Sequence, residues 1–168
     1  WQDIRAKHAG IEEVAVFGTL DNPIANSIAN QARSIFQANP DITVVFAPYD
    51  EFAKGVKIAV DEADLTDQVD IYSADVSTAD ISAMREPGSA WAATVATNPA
   101  VVGEVSVRAL AMLLAGVNPG QSVIVPPTLI TQAFLIEQDI KNMGDLGAKM
   151  PQFQHADVAM PAWMPDRK

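Results

Sequence analysis

The segment Asn39-Pro40-Asp41-Ile42-Thr43-Val44-Val45-Phe46-Ala47-Pro48-Tyr49-Asp50-Glu51-Phe52-Ala53-Lys54-Gly55 constrains the fold of this chain more than any other. Its residues prescribe, in order, a helix stop, a strand, a sharp turn and a new helix. Proline cannot donate the helical hydrogen bond, and its ring clashes with the preceding turn, so Pro40 ends the helix before it. Ile42 to Ala47 is a short apolar run rich in β-branched residues, the pattern of a strand buried on both faces. Asp50 stands where a helix N-cap is expected, ahead of apolar Phe52, Val56, Val60 and Ala63. Parallel α/β sheets gather ligand-binding groups at such strand-to-helix turns, which makes Pro48, Tyr49 and Asp50 the first candidates for function.

Strand and helix signals alternate on either side of this segment. Glu13 to Thr19 reads as a strand. Asp21-Asn22-Pro23 follows, with a proline suited to a first helical turn. Ile24, Ile28, Ala32 and Ile35 then recur at helical spacing. After the helix that begins near Asp50 and lasts to about Asp64, Val69 to Ala74 reads as a strand. A short helix follows Asp75-Val76-Ser77 and ends before Pro87-Gly88. Trp91 to Ala96 is a further strand. Asn98-Pro99 opens a helix through about Ala115, which stops at Val117-Asn118-Pro119-Gly120. Ser122 to Val125 and Thr128 to Thr131 read as extended; the Pro126-Pro127 pair between them marks a crossover or a sheet edge. A short helix is expected from about Glu137 to Met143. Gly144, Gly147, Pro151, Pro161 and Pro165 break up the tail, yet Phe153, Met160, Trp163 and Met164 make it too apolar for a free linker. The βαβα order implies an α/β fold, a mostly parallel sheet with helices on both faces.

Composition removes several functions. The 168 residues carry a formal net charge of -10, with no Lys/Arg cluster, which excludes an ordinary nucleic-acid surface. With no cysteine, disulfides, thiolate metal sites and cysteine nucleophiles are impossible. No apolar run approaches the ~20 residues of a membrane helix. The chain opens at Trp1-Gln2-Asp3 without methionine, as a processed, trimmed or partial product would.

Familiar catalytic patterns fail on their chemistry. Asp61-Glu62-Ala63-Asp64 spells a helicase box but has no phosphate-cradling GxxxxGK[ST] loop to work with, and reads as a solvated helix end. His8 and His155, the only histidines, lack a second ligand at metal spacing. No GxSxG elbow is present. Three turns at the ends of successive strands remain: Tyr49-Asp50, Asp75-Val76-Ser77 and Thr97-Asn98. Asp50, Ser77 and Asn98 double as helix caps. Asp75 stands ahead of the better cap Ser77, where its carboxylate can accept hydrogen bonds from vicinal hydroxyls. Tyr49 offers an aromatic face on which a sugar ring stacks.

The string NPDITVVFAPYDEFAKG is similar to the strand–turn–helix of type I periplasmic binding proteins, usually close to NPDIxAVFAxNDxMAxGA. These are the ribose- and galactose-binding group serving bacterial ABC importers. QVDIYSADVST resembles the family's strand ending in GFDGT, with Asp75 at the ligand-binding aspartate. Ala92 to Pro99 resembles the hinge segment ATVAQNP, and the helix from Val101 followed by GVNPG resembles the one before the family's last strand. The resemblance covers roughly residues 12 to 131.

The family has two α/β lobes joined by three hinge crossings, and runs to about 300 residues, twice a usual single domain. The resemblance therefore implies the C-terminal lobe of a two-lobed fold: residues 1–93 a partial C-terminal lobe, 94–98 a hinge crossing, 99–125 a segment of the mostly missing N-terminal lobe, 126–131 a second crossing, and 132–168 an extension. It implies that Val102, Leu110, Leu113 and Leu114 face the missing lobe, so that a second lobe or a second chain is needed to cover them. The ligand would be a sugar or polyol held by Tyr49, Asp50, Asp75, Thr97 and Asn98. Tyr49 replaces the family's asparagine, and Thr97 its glutamine or asparagine. Permease subunits would be the partners and the periplasm the location, with no cofactor, no metal, no catalysis and no nucleic acid. The rival readings are the sensor domain of a lactose-repressor-family regulator, an enzyme on an α/β scaffold, and a chemosensory subunit.

Overall fold

The computed structural model describes residues 1–164. Along the chain run α1 (Gln2–Lys7), α2 (Ile24–Ala38), β1 (Val44–Ala47), α3 (Asp50–Glu62), β2 (Asp70–Ala74), α4 (Thr78–Met84), β3 (Trp91–Ala96), α5 (Pro99–Leu114), β4 (Thr128–Thr131), α6 (Gln132–Glu137), α7 (Met143–Lys149) and α8 (Pro151–Gln154). The strands form one sheet in the order β1-β2-β3-β4. The first three are parallel, and β4 lies antiparallel on β3. The sheet is thus mostly parallel, as the alternation of signals requires. Two adjacent prolines are tolerated just before β4 because it is an edge strand.

Parallel neighbours joined by right-handed crossovers in one direction place the connecting helices on the same face. Here α3 buries Ala53, Val56, Ala59 and Val60, and α4 buries Ile81 and Met84. Both join one core with Ile28, Ala32 and Phe36 of α2, Ile71, Trp91 and Ile130 of the sheet, and Leu135, Ile140 and Leu146. Trp91 is fully buried, and its indole nitrogen donates to Ser73 Oγ at 2.8 Å, which satisfies the one polar atom it brings inside. Helices α2 and α3 cross at Gly55. A Cβ added there would stand 2.4 Å from the Ala25 carbonyl oxygen, so only glycine permits this approach.

The other face is thinly covered. Val44, Phe46, Tyr72, Val95 and Leu129 run across it, from 38% to 59% exposed. Trp1, at the head of α1, stacks on Phe46 with ring centroids 6.1 Å apart. The expectation that Ile42 to Ala47 is buried on both faces is therefore wrong. Strand side chains alternate, and only Val45 and Ala47 turn toward the helical layer.

Other local expectations also fail. Residues 13–19 and 122–125 join no strand of the sheet. A strand persists only where a neighbour takes up its backbone groups. Phe17 packs on the core, while the Gly18 amide donates to the Gln31 side chain at 2.9 Å. Pro23 occupies the N-cap position of α2 rather than its first turn. The helix expected over 137–143 is replaced by α6 and α7 on either side. Thr131 caps α6 directly off the strand, and Asp139, at φ 50°, interrupts the path before Asn142 caps α7. Gly144 and Gly147 lie inside α7 rather than breaking it. The apolar tail packs only in part: Phe153 enters the main core beside Met150, Met160 and Met164 are half-buried, and Trp163 is 53% exposed. Residues 165–168, including Pro165, lie outside the described residues.

Candidate sugar-binding edge

The registers Ala47↔Ser73 and Ala74↔Val95 bring the C-terminal ends of β1, β2 and β3 side by side. The turns that follow carry Tyr49-Asp50, Asp75-Val76-Ser77 and Thr97-Asn98. All five candidate residues (Tyr49, Asp50, Asp75, Thr97 and Asn98) therefore stand on one edge of the sheet.

Asp75 is the most constrained of them. Its φ of 72° lies in the left-handed region, costly for a residue other than glycine, though aspartate tolerates it better than most. Two contacts with β3 hold it there. The Asp75 amide donates to the Val95 carbonyl at 2.9 Å, and Thr94 Oγ1 donates to the Asp75 carbonyl at 2.7 Å. Thr94 itself is buried. The carboxylate is exposed and finds no hydrogen-bond partner among the described residues. Backbone strain together with an unused acceptor is a common mark of a binding position.

Tyr49 presents an aromatic surface at this edge. It is the extended residue before α3 and 37% exposed, with its ring edge-on to Phe52 at 5.6 Å. Asp50 is not the N-cap the sequence suggests. It is the first helical residue, and Tyr49 holds the cap position without a side-chain bond. The Asp50 carboxylate accepts from the Glu51 amide at 2.8 Å and lies beside Asp80. Partial burial and the Asp80 carboxylate push the Asp50 carboxyl up to about 6. Thr97 is half-buried. Asn98 caps α5, its side-chain oxygen accepting from the Ala100 amide at 3.0 Å, which leaves its amide donors for another partner.

Two residues behind this edge escaped the sequence reading. Asp80 is fully buried and completes a capping box with Ser77: Asp80 Oδ2 accepts from the Ser77 amide at 2.6 Å, and the Asp80 amide donates to Ser77 Oγ at 3.3 Å. Lys54 reaches Asp80 at 3.0 Å and Glu51 at 2.5 Å. Burial acts to lower the Lys54 ammonium, but these carboxylates outweigh it and hold it above its ordinary range. The cluster ties the start of α3 to the start of α4, and so fixes the Tyr49 turn against the Asp75 turn. Ser77-x-x-Asp80 is a legible capping pattern, and it was the one available signal for Asp80.

Among the described residues no cluster of His, Asp and Glu suited to a metal is found, and no helix is long and apolar enough to cross a membrane. A shallow groove lined by Arg33, Phe36, Pro40, Glu62 and Leu65 lies near the start of β1, at the opposite end of the sheet from the candidate edge.

Residues 2–118 match the family model described as a periplasmic binding protein domain. Among solved structures, the chain is 36% identical to a 5-methylthioribose transporter solute-binding protein from Thermotoga lettingae, solved with 5-methylthioribose, at a TM-score of 0.87; the match covers 97% of this chain and 52% of that one. A sugar ABC transporter protein from Yersinia enterocolitica is 27% identical at a TM-score of 0.82, covering 94% of this chain and 48% of that one. A carbohydrate transporter solute-binding protein from Agrobacterium radiobacter, in complex with D-arabinose, is 25% identical at a TM-score of 0.67, covering 84% and 48%. No match is found among curated proteins. The chain spans about half the length of these solved relatives. With the family model covering well over half of its residues, and a mostly parallel α/β sheet like that of its type I relatives, this chain belongs to the periplasmic binding protein family.

Proposed function

We propose that this chain is the C-terminal half of the solute-binding component of a bacterial ABC importer, and that it binds a sugar or sugar-like polyol. The observation that carries this reading is the Asp75 carboxylate, held at the strand end by Thr94 and Val95 and left without a partner, with Tyr49 and Thr97 on the neighbouring turns. A carboxylate accepts hydrogen bonds from two adjacent hydroxyls and donates none, which suits a diol. The phenyl face of Tyr49 would take the apolar side of a sugar ring. Thr97 and the free amide donors of Asn98 would supply the remaining polar contacts. Asp50 would act at the rim, through its tie to Asp80.

Residues 94–98 and 126–131 serve as hinge crossings in this reading, and 99–125 belongs to the second lobe. No bond is made or broken. Ligand binds both lobes at once and favours the closed state by its differential affinity. The closed form is then the one a membrane permease recognises, outside the cytoplasm. The relatives' bound 5-methylthioribose and D-arabinose point to a pentose or a 5-substituted pentose. Such relatives also favour import over a lactose-repressor-type sensor.

Isothermal titration of the full two-lobed chain with 5-methylthioribose, D-ribose and D-arabinose tests this. At least one should bind with the low-micromolar or tighter affinity of a scavenging importer. Asp75→Ala should weaken that ligand by ~10–100-fold, the loss of charge-assisted hydrogen bonds worth about 1.5–3 kcal/mol. Unchanged affinity in Asp75→Ala would remove Asp75 from the site. Silence towards all three sugars would remove the pentose assignment.

A further inference from the structure

The described residues contain two separate hydrophobic clusters, and the C-terminal tail enters both. Leu146, Met150 and Phe153 belong to the main core under the sheet. Ala156 belongs to a second, smaller cluster with Val101 and Val105 of α5, against which Val123, Val125, Val158 and Ala159 pack. The chain passes from one to the other through Gln154 and an extended His155. Three residue steps cover at most about 10 Å, so this link is short.

Arg108 fastens the far end. It sits on the same face of α5 as Val101 and Val105, and is only 7% exposed. Its Nη1 donates to the Ala156 carbonyl at 2.8 Å and to the Val158 carbonyl at 3.2 Å, while Nη2 pairs with Glu104. A buried guanidinium is tolerated only when its donors are used, and here two of them hold the main chain of the tail. The contact is made to carbonyls, so it fixes the path of the backbone rather than one side chain.

We propose that residues 154–159 form a strap between the two lobes, closed by Arg108, which limits how far the ligand-free clamp can open. This rests on the reading that 99–125 belongs to the second lobe. The hinge crossings at 94–98 and 126–131 act as pivots, and the strap is a further tether whose length sets the widest separation. By narrowing the ligand-free ensemble, it leaves less to be lost on closure and so raises apparent affinity.

The experiment is small-angle X-ray scattering of the full two-lobed chain without ligand. An insertion of four Gly/Ser residues between Gln154 and His155 lengthens the strap and removes no contact. It should raise the radius of gyration by roughly 1 Å on the roughly 19 Å of a compact chain of about 300 residues, with an unchanged melting temperature. Arg108→Ala should raise it in the same direction. If the insertion leaves the radius of gyration at the wild-type value, the strap is overturned, even when 5-methylthioribose still binds. Failure of the sugar reading alone would instead show as a widened ligand-free ensemble with no binding of any pentose.

Discussion

Asp75 and Asp50 are both aspartates in strand-to-helix turns on one edge of the sheet, and the sequence already sets Asp75 apart by its place ahead of the cap Ser77. Their surroundings separate them further. Asp75 is exposed and pinned through its main chain, and its carboxylate is unused. Asp50 turns inward beside Asp80, and burial there raises its pKa to about 6. This shift carries a pH signature. The unfolded carboxyl sits near its ordinary 3.8, so the folded state holds the proton more tightly. The stability this contributes is fully present below about 4 and is lost as pH rises through about 6. Asp50→Asn should therefore flatten the fall in melting temperature between pH 4 and pH 6.5. A wild-type slope retained in the variant would mean that another group titrates in that window. That Asp75 was a candidate was legible from its place ahead of Ser77. That Asp50 faces a buried carboxylate was not, because the partner lies on another helix.

At the scale of elements, the signals that survived were those whose cause is local. Pro40, Pro87-Gly88 and Asn98-Pro99 act through their own backbones, and the structure breaks or starts helices beside each of them. Strand signals needed a neighbour. Glu13 to Thr19 has the composition of a strand but no paired edge, and Ser122 to Val125 fails for the same reason. The α2–α3 crossing shows the reverse case, where a local residue records a distant contact. Gly55 reads as an ordinary helix weakness, yet the space where its Cβ would stand is taken by the Ala25 carbonyl oxygen and by Ile28 Cβ at 2.6 Å. Because backbone must move to admit a methyl group there, Gly55→Ala should destabilise the chain by about 1–3 kcal/mol despite alanine's better helix propensity. Chemical denaturation measures it; a neutral or stabilising result would mean that the two helices separate freely.

The molecule as a whole is open on two sides. One face of its sheet exposes Phe46, Tyr72 and Leu129, and one face of α5 exposes Val107, Leu110, Leu113 and Leu114, the last at 82%. Patches of this kind mark surfaces that a partner covers. Residues 1–168 expressed alone should self-associate in light scattering, and Leu113→Gln with Leu114→Gln should reduce the association. A strictly monomeric, cooperatively melting fragment would show that the exposed faces need no cover. The two-lobed family was legible from short strings in order. The strap was not, because it depends on Arg108 meeting carbonyls far along the chain.

The edge strand β4 reaches β3 only after the chain has made α5 and come back. During synthesis or export, β3 is therefore a bare edge with unpaired backbone groups until residue 131 has emerged. The interval is a long loop-closure step rather than a hairpin, and the pairing it delays is the non-local kind that forms late. Bare edges recruit strands from other chains. The order in which this chain is made thus leaves a window in which the β4 side of β3 is open to other strands, and that window closes when Thr128 to Thr131 docks.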